Sequence, residues 1–192
     1  ITNTTSSNQA WNIYRAYTSL FNWEAQDEND TLNDTVEDFD TSLNLSSDNT
    51  VMNVACYANG TTADLTPVVI DGWTTATSNY IKIYTPIETS EVGESQRHSG
   101  VWNTSKYYLQ VSDEHIITLA DDYIRIEGLQ VYLAHVADNL GTHGINFVAN
   151  TDYTTYYISD NIVRSAGTDY RYHTGLAVFS TTATTEGVVY AY

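Results

Sequence analysis

The sequence is short of most things that usually announce a function. It has one cysteine, Cys56, so no internal disulfide framework exists, and its neighbours Val54, Ala55 and Tyr57 mark it as a small buried hydrophobe. It has two prolines, one methionine and no apolar run long enough to span a membrane as a helix. Lys and Arg number seven against 24 Asp and Glu, a formal charge of −17. A protein that grips nucleic acid needs a basic footprint, and that balance excludes one. It also opposes polyanionic substrates unless metal ions bridge the two. No Gly-x-Ser-x-Gly, phosphate-cradling loop or Cys-x-x-Cys occurs, and His98, His115, His135, His143 and His173 lack the close spacing of a zinc pair.

What is present is strand-forming: 16 Tyr, 28 Thr and many Val and Ile. The most ordered stretch is 122–133, where Ile124, Ile126, Leu129, Val131 and Leu133 carry the apolar positions. The alternation has period two on each side of Gly128, so two strands each bury one face. Glu127-Gly128 is not a hairpin signal, and the chain is expected to bend there and continue. Such a bent pair is how one coil of a parallel β-solenoid turns a corner. Strand-like segments recur at 51–57, 67–71, 80–84, 107–111, 115–119, 123–133, 144–148, 155–158, 161–164, 174–180 and 187–192. Ile126, Ile158 and Tyr190 stand 32 residues apart, a plausible coil length, although Ile70 lies 56 residues before Ile126 and breaks the period.

Before the strands, residues 1–16 read as a polar lead, consistent with a mature secreted N-terminus. Residues 17–26 read as a short helix capped by Thr18 or Ser19, with Leu20, Phe21, Trp23 and Ala25 supplying an apolar surface to cover one end of the stack. Residues 27–50 are acidic and polar and read as a solvated loop. Asp27, Asn29, Thr31, Asn33 and Asp38 approach a calcium loop but lack its glycine and its closing glutamate. Residues 51–192 form the coils, so 17–192 is one domain.

Several ordered pieces carry a family resemblance. They are Tyr17-Thr18-Ser19-Leu20 with Trp23-Glu24-Ala25, Ala55-Cys56-Tyr57, Ile70-Asp71-Gly72-Trp73-Thr74-Thr75, Arg97-His98-Ser99-Gly100, Trp102-Asn103-Thr104-Ser105-Lys106-Tyr107 and Tyr123-Ile124-Arg125-Ile126-Glu127-Gly128-Leu129. Together they resemble the N-terminal part of secreted right-handed parallel β-helix proteins with a pectate-lyase-like fold, from environmental microbes and phages. The resemblance implies an all-β, right-handed parallel β-helix with a short N-terminal capping helix. That fold hosts lyases, hydrolases, tailspikes and adhesins, so it does not select an activity.

Pectin-degrading relatives would place carboxylates and an Arg or Lys base together. Asp121-Asp122, His143-Gly144 and Asn150-Thr151-Asp152 occur in the wrong order for a polygalacturonase, and they read as turn residues. Asp121, Asp122 and Glu127, with Arg125 nearby, are the candidate calcium ligands, and calcium is the one cofactor the residues suggest. Arg125 and Glu127 share a strand face and could simply pair there. Tyr153, Tyr156, Tyr157, Tyr170 and Tyr172 fit stacked ladders better than sugar platforms. Sequons stand at Asn3, Asn29, Asn33, Asn44, Asn59 and Asn103.

The final residues look like the start of a strand with no cap, which makes Val188, Val189, Tyr190 and Tyr192 candidates for self-association. The first expectation is therefore an extracellular structural protein whose partners are copies of itself, joined end to end into a fibre. The alternative is a carbohydrate-active enzyme or a glycan-binding, tailspike-like domain whose partner is an extracellular polysaccharide. The residues favour a non-catalytic reading.

Overall fold

A computed structural model describes residues 14–32, 42–88, 95–134, 141–149, 154–166, 173–180 and 187–191. Among the described residues, helix is confined to two short pieces. The first, α1 (Leu20–Glu24), is shorter than the predicted 17–26 and is capped by Ser19, whose hydroxyl accepts the Asn22 N–H at 3.0 Å. Leu20 and Trp23 are buried, whereas Phe21 faces outward. The second, α2 (Leu45–Asp48), falls within the stretch expected to be a loop. The Asn44 side chain caps it on Ser47 N–H, and the single apolar residue Leu45 anchors it in the core.

Among the described residues everything else regular is strand, and every pairing between these strands is parallel. A five-stranded sheet holds β1 (Met52–Ala55), β3 (Ile81–Tyr84), β6 (Ile124–Glu127), β9 (Thr154–Ser159) and β12 (Gly187–Ala191). A three-stranded sheet holds β4 (Tyr108–Ser112), β7 (Gln130–Ala134) and β10 (Ile162–Ala166). A four-stranded sheet holds β2 (Val68–Ile70), β5 (Ile117–Leu119), β8 (Thr142–Ala149) and β11 (His173–Ser180). From β3 the chain visits the five-, three- and four-stranded sheets in that order and then repeats the round. Each strand thereby pairs with its counterpart one round earlier. Parallel neighbours require long crossovers, and here the crossovers are the other two sheets.

Register places like side chains over like. Ile81 pairs with Ile124 and Ile83 with Ile126, and these continue to Tyr156 and Ile158, all buried. In the four-stranded sheet Val68, Ile117 and Ile145 form one buried column, and Ile70, Leu119 and Phe147 another. Leu109 and Val111 face the core with Val131 and Leu133 in the third sheet. The five residues expected to be apolar anchors in 122–133 are all buried, and Cys56 is buried with them.

The strand expected across 123–133 divides at Gly128, with β6 and β7 in different sheets. Gly128 takes φ +76°, a left-handed conformation, and a Cβ there would lie 2.2 Å from Arg97 Nε. One round later Asp160 holds the same corner position at φ +54°. Asn161 then locks the corner: its Oδ1 accepts Leu129 N–H at 2.8 Å and its Nδ2 donates to Ile126 O at 2.9 Å.

The repeat is real between Ile126 and Ile158, which pair, but Tyr190 pairs with Tyr157, one residue out of the expected register. The break before Ile126 has a simple cause. Ile70 lies in the four-stranded sheet, and the counterpart of Ile126 is Ile83, 43 residues earlier. The added length is the long connection between β3 and β4, where β6 and β7 are joined by Gly128 and Leu129 alone. Among the described residues no helix is long and apolar enough to cross a membrane.

Candidate functional site

The residues proposed from sequence as calcium ligands are not brought together. Asp121 follows β5 and folds back on the turn after β2, where its two oxygens accept the N–H groups of Gly72 at 3.2 Å and Trp73 at 2.9 Å. Glu24, at the end of α1, meets the same turn: Oε1 accepts Asp71 N–H at 2.9 Å and Oε2 accepts Trp73 Nε1–H at 3.0 Å. Trp23 and Trp73 stack beside them at 5.4 Å. Burial pushes Glu24 up to about 7, against the pull of these hydrogen bonds, and likewise Asp121 up to about 6. Asp122 contributes its backbone oxygen to the Thr75 hydroxyl. Glu127 lies at the far end of β6 from both aspartates. Among the described residues no group of three or more His, Cys, Asp or Glu side chains is placed to hold a metal ion. The Glu24 carboxylate ties the capping helix to the turn after β2, and the Asp121 carboxylate ties the end of β5 to the same turn.

Glu127 is engaged elsewhere. Lys82, beside it on β3, approaches Oε2 at 2.8 Å, and Arg97 from the long connection approaches Oε1 at 2.7 Å and reaches Asp160 at 3.4 Å. Burial raises the Glu127 carboxyl, but its bonds to Lys82 and Arg97 outweigh this and hold its pKa below the ordinary range. The expected Arg125–Glu127 pair does not form. Both Glu127 oxygens are held by cations from elsewhere, Lys82 and Arg97.

Arg125 lies instead on aromatic rings, 3.5 Å from the centroid of Tyr80 and 5.0 Å from that of Tyr157. A second arrangement of this kind stands around the corner, on the three-stranded sheet. Arg164 sits 3.8 Å over Trp102 and 4.2 Å over Tyr132, and Trp102 meets Tyr108 and Tyr132 edge-on. Gln130, fully buried, fastens the loop that carries Trp102: it accepts Asn103 N–H at 2.6 Å and donates to the carbonyls of Asn103 and Tyr107. The tyrosine cluster thus divides. Tyr156 fills the core against Phe147, while Tyr157 stands on the outer face, in register with Tyr190. Tyr153, Tyr170 and Tyr172 lie outside the described residues.

The histidines hold one pairing that spacing did not reveal. His115 and His143 stack at 4.7 Å, and His143 N–H donates to His115 Nδ1 at 3.2 Å. That bond leaves the His115 proton on Nε2, the wrong tautomer for a metal at that atom. His135 lies outside the described residues.

A cleft of about 810 Å³ opens between residues 14–20 and β1, with Cys56 and Tyr107 among its lining. Of the sequons, Asn59 and Asn103 are exposed on turns, Asn44 caps α2, and Asn29 spends its amide on Arg15 O. Asn3 and Asn33 lie outside the described residues, as does Tyr192, while Val188, Val189 and Tyr190 belong to β12. No family model matches the chain, and no curated protein or solved structure matches it either.

Proposed function

We propose that the chain is a right-handed parallel β-helix acting as an extracellular structural protein that associates with copies of itself through strand edges. The observation that carries this reading is the three-sheet cycle: all pairings are parallel and every strand is added one round after its neighbour. Parallel crossovers are almost always right-handed, which supplies the hand. Among the described residues β12 is the outermost strand of the five-stranded sheet, and it carries Val188, Val189 and Tyr190. At the other edge of that sheet β1 borders the cleft, since α1 packs against β2. Edge strands display backbone donors and acceptors that a second copy can pair with, and head-to-tail pairing of this kind does not close on itself. Negative-stain microscopy with light scattering tests this: long particles of uniform width are expected, and a monodisperse monomer at high concentration overturns it.

A second reading, glycan binding along the outer faces, is favoured by Arg125 and Arg164, each laid flat on aromatic rings. Such surfaces offer stacking area and hydrogen-bond donors together. Glycan-array binding with no turnover is the expected result.

A further inference from the structure

We infer that the outer faces on either side of the Gly128 corner form a binding surface for an acidic glycan, with Arg125 and Arg164 as its two anion-anchoring groups. The inference rests on the glycan-binding reading above and adds the chemistry of the ligand. In a chain with 24 Asp and Glu and only seven Lys and Arg, every cation has carboxylates in excess to pair with. Lys82 and Arg97 do pair, with Glu127 and Asp160. Arg125 and Arg164 do not: among the described residues neither has a carboxylate partner, and both rest on rings instead.

A guanidinium stacked on a ring is held by its face and keeps its N–H groups in the plane, pointing sideways. The donors are therefore oriented and unspent, which is the geometry that takes a carboxylate or sulfate through two parallel bonds. The stack also fixes the side chain in advance, so less rotamer freedom is lost when a ligand arrives. Tyr80 and Tyr157 around one arginine, and Trp102 and Tyr132 around the other, are each partly exposed and place apolar surface next to each anchor. The two anchors stand on adjoining sheets, one before the corner at Gly128 and Asp160 and one after it, so a polymer could engage both. The overall charge of −17 makes the local arrangement matter more. That charge opposes a polyanion over most of the surface, so without bridging metal ions an acidic glycan gains at local cationic groups whose donors are unspent, such as these two. A nucleic acid, which needs a continuous basic track, is not accommodated.

The test is affinity electrophoresis of the protein in EDTA at low ionic strength through gels containing alginate, dextran sulfate or neutral dextran. Retardation by alginate, by dextran sulfate or by both is expected, weakening as NaCl is added, and the two gels separate carboxylate from sulfate recognition. Arg125→Gln and Arg164→Gln should each weaken it about ten-fold, since a charged hydrogen bond is lost. Arg125→Lys, which keeps the charge without the planar fork, should fall between. Unchanged far-UV circular dichroism establishes that the variants are folded. Retardation by dextran alone overturns the acidic class but keeps glycan binding, and no retardation in any gel overturns both. Unchanged binding by the two Gln variants removes the anchors, and loss of self-association in those variants by light scattering assigns the face to a second copy instead.

Discussion

His115 and His143 lie ring on ring, 4.7 Å between centroids and 10° from parallel, although 28 residues separate them in the chain. Burial lowers both imidazoles, and for His143 the neighbouring His115 adds to the effect. With folded pKa values below the unfolded value of about 6.5, the unfolded chain binds protons more readily. Their contribution to stability is complete above that pH and is lost as the pH falls through the folded values. His115→Phe should flatten this acid-side loss, measured as the midpoint of urea unfolding between about pH 7 and 5.

The clasp at the capping helix titrates in the opposite sense. Glu24 and Asp121 have folded pKa values of about 7 and about 6, above their ordinary values. The folded state therefore holds their protons more tightly. The stabilising effect is complete below the unfolded values and disappears as the pH rises through about 6 and 7. Glu24→Gln should remove the larger part of the slope between about pH 5 and 8 and leave the histidine-dependent part in place. Unfolding curves of that variant and of His115→Phe separate the two contributions.

Gly128→Ala should destabilise the fold by about 2–4 kcal/mol. The left-handed backbone costs an alanine about 1–2 kcal/mol, and the added methyl must displace Arg97 and the Thr85 hydroxyl, which lies 2.6 Å from its position. Chemical denaturation measures the loss. An equal stability would mean that the corner can relax.

Asn161→Ala should cost about 2–3 kcal/mol, because Leu129 N–H and Ile126 O both lose their partner at once. Asn161→Asp is the sharper comparison. It keeps an acceptor for Leu129 but turns an oxygen toward the Ile126 carbonyl, so it should recover little of the stability. Hydrogen exchange at the Leu129 amide reports the lock directly, and fast exchange is expected in the alanine variant.

The stretch 122–133 was readable because its evidence is local. Two runs of alternating residues flank a glycine, and Ile124, Ile126, Val131 and Leu133 need nothing distant to declare their buried side. The start of α1 was readable for the same reason, from Ser19 and the apolar pair Leu20 and Trp23. The site residues were not, because their partners come from other rounds. Glu127 is claimed by Arg97, 30 residues away in a connection of irregular length, and no period predicts that meeting. Asp121 stands beside a second acid in sequence, but its oxygens each accept a backbone N–H, from Gly72 and Trp73, partners that lie 49 and 48 residues away. Tyr156 and Tyr157 read in sequence as one aromatic cluster, although neighbours on a strand face opposite ways. The ring contacts of Arg125 and Arg164 carry no local signal, since a ring beneath a guanidinium is recruited across strands.

The long connection between β3 and β4 gives the molecule a division of labour. Register in the sheets is fixed by the buried columns on either side, so a round may be 43 or 32 residues long without disturbing its neighbours. Arg97 and Trp102 ride on that surplus and reach two different sheets from it. Natural variation or deliberate grafting could therefore exchange this segment for another and change what the surface carries, while the parallel sheets beneath keep their register.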